Sequence, residues 1–142
     1  MKQIFVYGSL REGLFNYDIY LEGKVSHIEE AYVRGKLYSL KGKPYPAFVP
    51  GYRGWVRGQI MTLKSRDTLK ELDKMEGFIS IGNKDNEYNR EPVDVYNLAK
   101  TYRGTFDTYV FNFKHTHRAR ELKHRIHHGD FVKHYKLVNS EE

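Results

Sequence analysis

"IFVYGSLREG", residues 4–13, decides how the rest of the chain is to be read. Four apolar or aromatic residues, Ile4 to Tyr7, run without a polar interruption and then stop at Gly8. An apolar run bounded by glycine reads as a first strand that ends at Gly8. Glycine lets the backbone turn sharply and come close to another group. Two readings follow for the turn. It is a plain turn, or the successive amides of Ser9 and Leu10 form an anion-binding concavity. The P-loop pattern is absent, because no second glycine with Lys-Ser or Lys-Thr follows at the required spacing.

Working outward, strands dominate. "HIEEAYVRGKLYSL", residues 27–40, alternates as a strand with a bulge expected at Gly35. "KGKPYPAFVPGYRG", residues 41–54, reads as a loop with a turn at Pro50-Gly51, and "WVRGQIMTL" resumes as a strand. "FNYDIYLEG" forms a short helix or irregular turn closed by Gly23. "NREPVDVYNL" and "TFDTYVFNF" alternate as strands. "SRDTLKELDKMEG", residues 65–77, has the signals of a helix: Ser65 as N-cap, Asp67 in the first turn and Gly77 as the stop. A second helix is expected in the basic stretch "KHTHRARELKHRIHHG", residues 114–129. Helices that do not alternate with strands point to an α+β fold, with a curled sheet or small barrel, in one domain covering residues 1–142.

Composition narrows the chemistry. The chain has no cysteine, which excludes disulfides, thiolate zinc sites and thiol catalysis. Twelve tyrosines and eight phenylalanines supply much of the apolar surface, and buried tyrosines bring hydroxyls that need partners. No apolar run approaches the ~18 residues of a membrane span, so a cytoplasmic protein without a membrane partner is expected. The net charge of +6 gathers in residues 114–129, either as a solvated face or as a contact for nucleic acid. His124 and His128, four apart, lack the H-E-x-x-H context of a zinc site, and no metal is expected.

One acidic residue stands apart. Leu69, Leu72 and Met75 mark the apolar stripe of the helix from residue 65. Glu76 lies seven residues after Leu69 and so faces nearly the same way, whereas Asp73 falls at the stripe's edge. A carboxyl buried at the negative end of a helix has its pKa pushed up, which suits a general base for an amine. The plainer alternatives are a glutamate turning out to water or pairing with an arginine. "EYNRE", residues 87–91, sets Tyr88 and Arg90 on one face of a strand, either orienting a substrate or forming a surface ladder.

These pieces in order ("VYGSLR", "GKLYSL", "YPA", "GWVRGQI", "LDKMEG", Y-x-R and a late "GDF") resemble the gamma-glutamylcyclotransferase-like superfamily. The likeness is to its small bacterial branch akin to gamma-glutamylamine cyclotransferases, across roughly residues 4–135. The resemblance implies a small mixed β-barrel flanked by helices and an enzyme that takes no cofactor. Such an enzyme releases 5-oxoproline from a small gamma-glutamyl compound by attack of the substrate's own α-amine. It implies Glu76 as the catalytic base, Tyr7, Gly8, Ser9 and Leu10 as the substrate-holding loop, and Tyr88, with Arg90, as further substrate contacts. Relatives often carry glutamate where this chain has Gln59, a departure expected to bear on substrate choice. A small-molecule-binding pseudoenzyme of the same fold, or a basic nucleic-acid-binding module, are the alternative readings.

Overall fold

The computed structural model describes residues 2–112 and 121–139. In chain order they form β1 (Lys2–Val6), α1 (Phe15–Tyr20), β2 (Val25–Leu40), β3 (Pro46–Leu63), α2 (Arg66–Met75), β4 (Tyr88–Tyr96), β5 (Tyr102–Phe111), β6 (Leu122–Arg125) and α3 (Phe131–Asn139). The sheet runs β3-β1-β5-β4-β2-β6, and a further β2–β3 pairing brings its two sides together. The ring is loose. β2 meets β4 only at Tyr32↔Tyr96 and Val33↔Val95, and the parallel β1–β5 contact is a single register pair, Ile4↔Asp107.

β1 explains its own sequence. Ile4 and Val6 face one apolar cluster with Met61, Leu63, Leu69, Leu72 and Phe111. Phe5 and Tyr7 face a second with Val33, Phe48, Val56, Ile60 and Phe131. A strand buried on both faces needs the uninterrupted apolar run that opens the chain. α2 lays Leu69 and Leu72 on the first cluster, and the Ser65 hydroxyl accepts the Asp67 amide at 3.2 Å as the N-cap.

Two expectations are corrected. The proline stretch is not a loop throughout: Pro46 to Pro50 pair with β2 from Ser39↔Pro46 to Gly35↔Pro50. The register then jumps to Arg34↔Trp55, so the turn read at Pro50-Gly51 survives as a bulge looping out residues 51–54 opposite Gly35. The second correction concerns the basic helix. Residues 114–120 lie outside the described residues, but Leu122–Arg125 is a strand paired with β2 through Leu40↔Leu122 and Tyr38↔Arg125. Pairing with an open sheet edge outweighs helical charge patterning there, because Leu122 and Ile126 can both pack on the core. His124 and His128 therefore do not share a helix face.

Candidate active site

Gly8, just beyond β1, lies against Pro46: a Cβ on residue 8 would be 2.8 Å from the proline Cδ, so only glycine fits without displacement. The turn beyond it is fastened from several sides. The Arg11 amide donates to the Gly8 carbonyl at 3.0 Å, and the Ser9 carbonyl accepts the amides of Asn16 and Tyr17 at 3.2 Å, satisfying donors in the first turn of α1. The Ser9 hydroxyl accepts from the Asn16 side chain at 2.7 Å. Among the described residues, no acceptor takes the amide hydrogens of Gly8, Ser9 or Leu10.

Behind this loop the Arg11 guanidinium, almost fully buried, donates to Asp130 at 2.7 Å. Asp130 stands just before α3 and also accepts the Lys133 amide at 3.2 Å. Burial works to raise its pKa, but Arg11 and that amide hold it below the usual aspartate value. Gln59 completes the fastening: its carbonyl accepts the Glu12 amide at 2.9 Å and its amide donates to Glu30 at 2.6 Å. An amide side chain can do both and an ionised carboxylate cannot, so the glutamine departure falls on the anchor of the loop and not on the pocket wall.

The free amides border a pocket of about 310 Å³, mouth included. Its walls are Phe5 to Leu10, Tyr45, Pro46, Glu76, Tyr88 and Tyr109. Glu76 is the C-cap of α2, its amide bonded to the Leu72 carbonyl at 2.8 Å. Gly77 then turns the chain at φ +66, and its position packs on Glu87. The Tyr88 amide donates to the Glu76 carbonyl at 3.2 Å, tying the helix end to the start of β4. As a whole residue Glu76 is only half-buried, but its carboxyl is enclosed by protein and borders the pocket. The carboxyl has no hydrogen-bond or ion-pair partner among the described residues. Burial, and then the nearby Glu87 carboxylate, push its pKa up to about 8. Glu87 is itself held by Lys43 at 2.6 Å and by the Tyr45 hydroxyl at 3.0 Å.

The tyrosines are committed elsewhere. Tyr7 donates to the Tyr109 carbonyl at 2.5 Å, Tyr88 to the Pro46 carbonyl at 2.6 Å, and Tyr109 to Asp73 at 2.6 Å. Burial raises the pKa of all three phenols, and of Tyr45, above the ordinary tyrosine value. Glu76 is thus the pocket-lining group among the described residues able to exchange a proton near neutrality.

Six of the seven residues singled out from the sequence (Tyr7, Gly8, Ser9, Leu10, Glu76 and Tyr88) line this one pocket. Arg90 does not. It forms an ion pair with Asp73 at 3.5 Å and lies over the Phe78 ring, so it reaches the pocket only through Asp73 and Tyr109. Asp73, placed at a solvent-reaching edge by periodicity, is the anchor of that chain. Tyr45, Pro46 and Tyr109 were not anticipated as pocket walls. "YPA" was a visible signal for the first two, whereas nothing in the alternation of β5 distinguishes Tyr109.

A curled sheet with a helix end and a strand-end loop facing one hollow defines a class of small α+β proteins, and comparison with known proteins places the chain within it. The chain belongs to the gamma-glutamyl cyclotransferase, AIG2-like family, whose model matches residues 4–133. AIG2-like protein C of Arabidopsis thaliana is 32% identical over 111 residues, 78% of this chain and 59% of that protein. Gamma-L-glutamyl-butirosin B gamma-glutamyl cyclotransferase of Niallia circulans is 31% identical over 112 residues, 79% of this chain and 68% of that protein. An aig2-like protein from Mus musculus shares the fold at a TM-score of 0.65 and 21% identity, over 87% of this chain and 85% of that one. The chain thus spans about three fifths of the length of the plant relative.

Proposed function

We propose that this chain, acting as one domain, is a gamma-glutamyl cyclotransferase. It would release 5-oxoproline and a free amine or amino acid from a gamma-glutamyl compound. The observation that carries the reading is the Glu76 carboxyl, enclosed and unpaired beside a loop whose amides have no acceptor. The family supports the reaction class, and the cyclotransferase name of the Niallia circulans relative supports a gamma-glutamyl substrate.

In the proposed step the substrate's α-ammonium gives a proton to Glu76, and the freed amine attacks the γ-carbonyl carbon. The new carbon–nitrogen bond closes a five-membered lactam. As the tetrahedral centre collapses, the γ carbon–nitrogen bond breaks, the proton on Glu76 passes to the departing nitrogen, and the surplus proton on the ring nitrogen follows through Glu76 to the released amine, which leaves as its ammonium ion. Nothing is oxidised and no water is consumed. A carboxyl near 8 lies much closer to an α-amine than an ordinary glutamate at ~4.3 does, so moving the proton costs correspondingly less. The arriving ammonium also favours the ionised carboxyl. Amides of Gly8, Ser9 and Leu10 would stabilise the oxygen that gains charge, or grip the substrate carboxylate. Nucleophile and electrophile belong to one molecule, so orientation supplies much of the rest.

The experiment is 5-oxoproline release from gamma-glutamyl amides, with Glu76→Gln alongside the unaltered chain. Release by the unaltered chain and its loss in a folded Glu76→Gln variant is the expected result. Full activity in the variant refutes the base assignment, and no release from any amide favours the pseudoenzyme.

A further inference from the structure

Next to the pocket lies a second hollow, a groove of about 530 Å³ with its mouth included, between the β2–β3 turn and α3. Tyr45 belongs to both walls. Its ring meets Tyr88 at 6.1 Å between centroids, and Tyr88 is a wall of the pocket alone. The groove continues past Tyr45 over Phe131, His134, Tyr135 and Val138. The enclosed space beside Glu76 is small, so any substrate whose γ-carbonyl sits there must extend its other half outward.

The lining fixes what that half can be. Phe131 packs on Tyr135 at 6.1 Å and on His134 at 6.2 Å, a continuous aromatic floor. Burial and His128 lower the His134 pKa, which keeps that ring neutral at pH 7. Among the described residues no carboxylate lines the groove, and the lysine that does, Lys43, is engaged by Glu87 at 2.6 Å and Glu121 at 3.0 Å. A cationic leaving group, such as a polyamine, would lose water there without gaining a counter-ion. A flat apolar one would gain ring contacts.

Resting on the lactam-forming reading above, we propose that this groove receives the leaving half of the substrate and selects an amine bearing an aromatic or large apolar group. Val138, at the exposed rim, is the position that tests it.

The test measures 5-oxoproline release from three neutral-linked amides: gamma-glutamyl phenethylamide, gamma-glutamyl ethylamide and gamma-glutamylputrescine. Burial of the ring should give the phenethylamide a kcat/KM roughly tenfold or more above the other two. Val138→Glu, which places a carboxylate at the groove's edge, should narrow or reverse the order of phenethylamide and putrescine. Equal kcat/KM for all three amides, or an order untouched by Val138→Glu, overturns the proposal while leaving the cyclotransferase reading intact. If no amide yields 5-oxoproline, that reading falls and the groove is judged by calorimetry. Phenethylamide binding that exceeds ethylamide binding and weakens in Val138→Glu then supports the groove; equal or absent binding overturns it.

Discussion

Two carboxyls at opposite kinds of helix terminus flank the Gly8–Arg11 loop, and their surroundings are reversed. Asp130 stands at the N-terminal end of α3, held by a buried guanidinium and a backbone amide, and its pKa is lowered. Glu76 stands at the C-terminal end of α2, has no such partner and faces another carboxylate, and its pKa is raised to about 8. The helix dipole adds to each difference, favouring a negative charge at the first and opposing it at the second. One group is arranged to stay ionised and hold the loop in place. The other is arranged to give and take a proton beside that loop.

The contrast breaks most severely if Glu76 cannot ionise. Glu76→Gln should lower kcat by ~10²–10⁴-fold, the usual range for loss of a general base, with thermal unfolding unimpaired. Calorimetry and 5-oxoproline release on one preparation check both halves. Next comes the wall facing it. Gly8→Val drives a side chain into Pro46 and should raise KM for any gamma-glutamyl amide well beyond any change in Tm, measured by steady-state kinetics. Arg11→Ala attacks the opposite carboxyl. It leaves Asp130 unpaired, at a cost of about 2 kcal/mol because the aspartate keeps some access to water. A fall in Tm on the order of 5–10 °C would register it, and Arg11→Lys should recover part of the loss.

Titration sharpens the comparison further, because the two signs are opposite. Glu76 binds its proton more tightly in the folded chain than in the unfolded one. Its contribution to stability therefore falls as pH rises from about 4.5 to about 8. Glu76→Gln removes that penalty, so the variant should exceed the parent by about 1–3 kcal/mol at pH 8, with the gap closing toward pH 4. Asp130 behaves in reverse: its contribution is full above its unfolded value of 3.8 and is lost in more acid solution as pH falls through its folded pKa. Asp130→Asn should accordingly be least stable, relative to the parent, at neutral pH. Denaturant melts at a series of pH values read both slopes.

Only one of these two carboxyls was legible beforehand. Glu76 announces itself because helical periodicity turns it onto the same stripe as Leu69 and Leu72 while its charge argues against that direction. Asp130 carries no such contradiction, since its partner Arg11 lies 119 residues away in the chain. The same limit explains the fold. β1, α2 and the Gly35 bulge follow from local pattern, so they were readable. The prolines of β3 hide a strand because pairing with β2 is a long-range fact, and the charges of residues 114–129 suggest a helix where, at Leu122–Arg125, an open sheet edge imposes a strand. Tyr109 looked like any inward residue of β5. Its place at the pocket depends on Asp73 across the helix, which no spacing encodes.

That last link sets the smallest prediction. Arg90 was expected to touch substrate from its place in Y-x-R, but it stands one contact removed, its charge 3.5 Å from Asp73 without hydrogen-bond geometry. If its role is to hold Asp73 and, through it, the Tyr109 hydroxyl, then Arg90→Gln should cost about 0.5–1 kcal/mol of stability, the worth of a partly exposed ion pair. The KM for a gamma-glutamyl amide should then move less than about threefold, because pairs of this kind steer geometry weakly. A tenfold rise in KM at unchanged stability would instead put the guanidinium on the substrate, and would mean that the pocket beside Glu76 reaches further along β4 than its present walls.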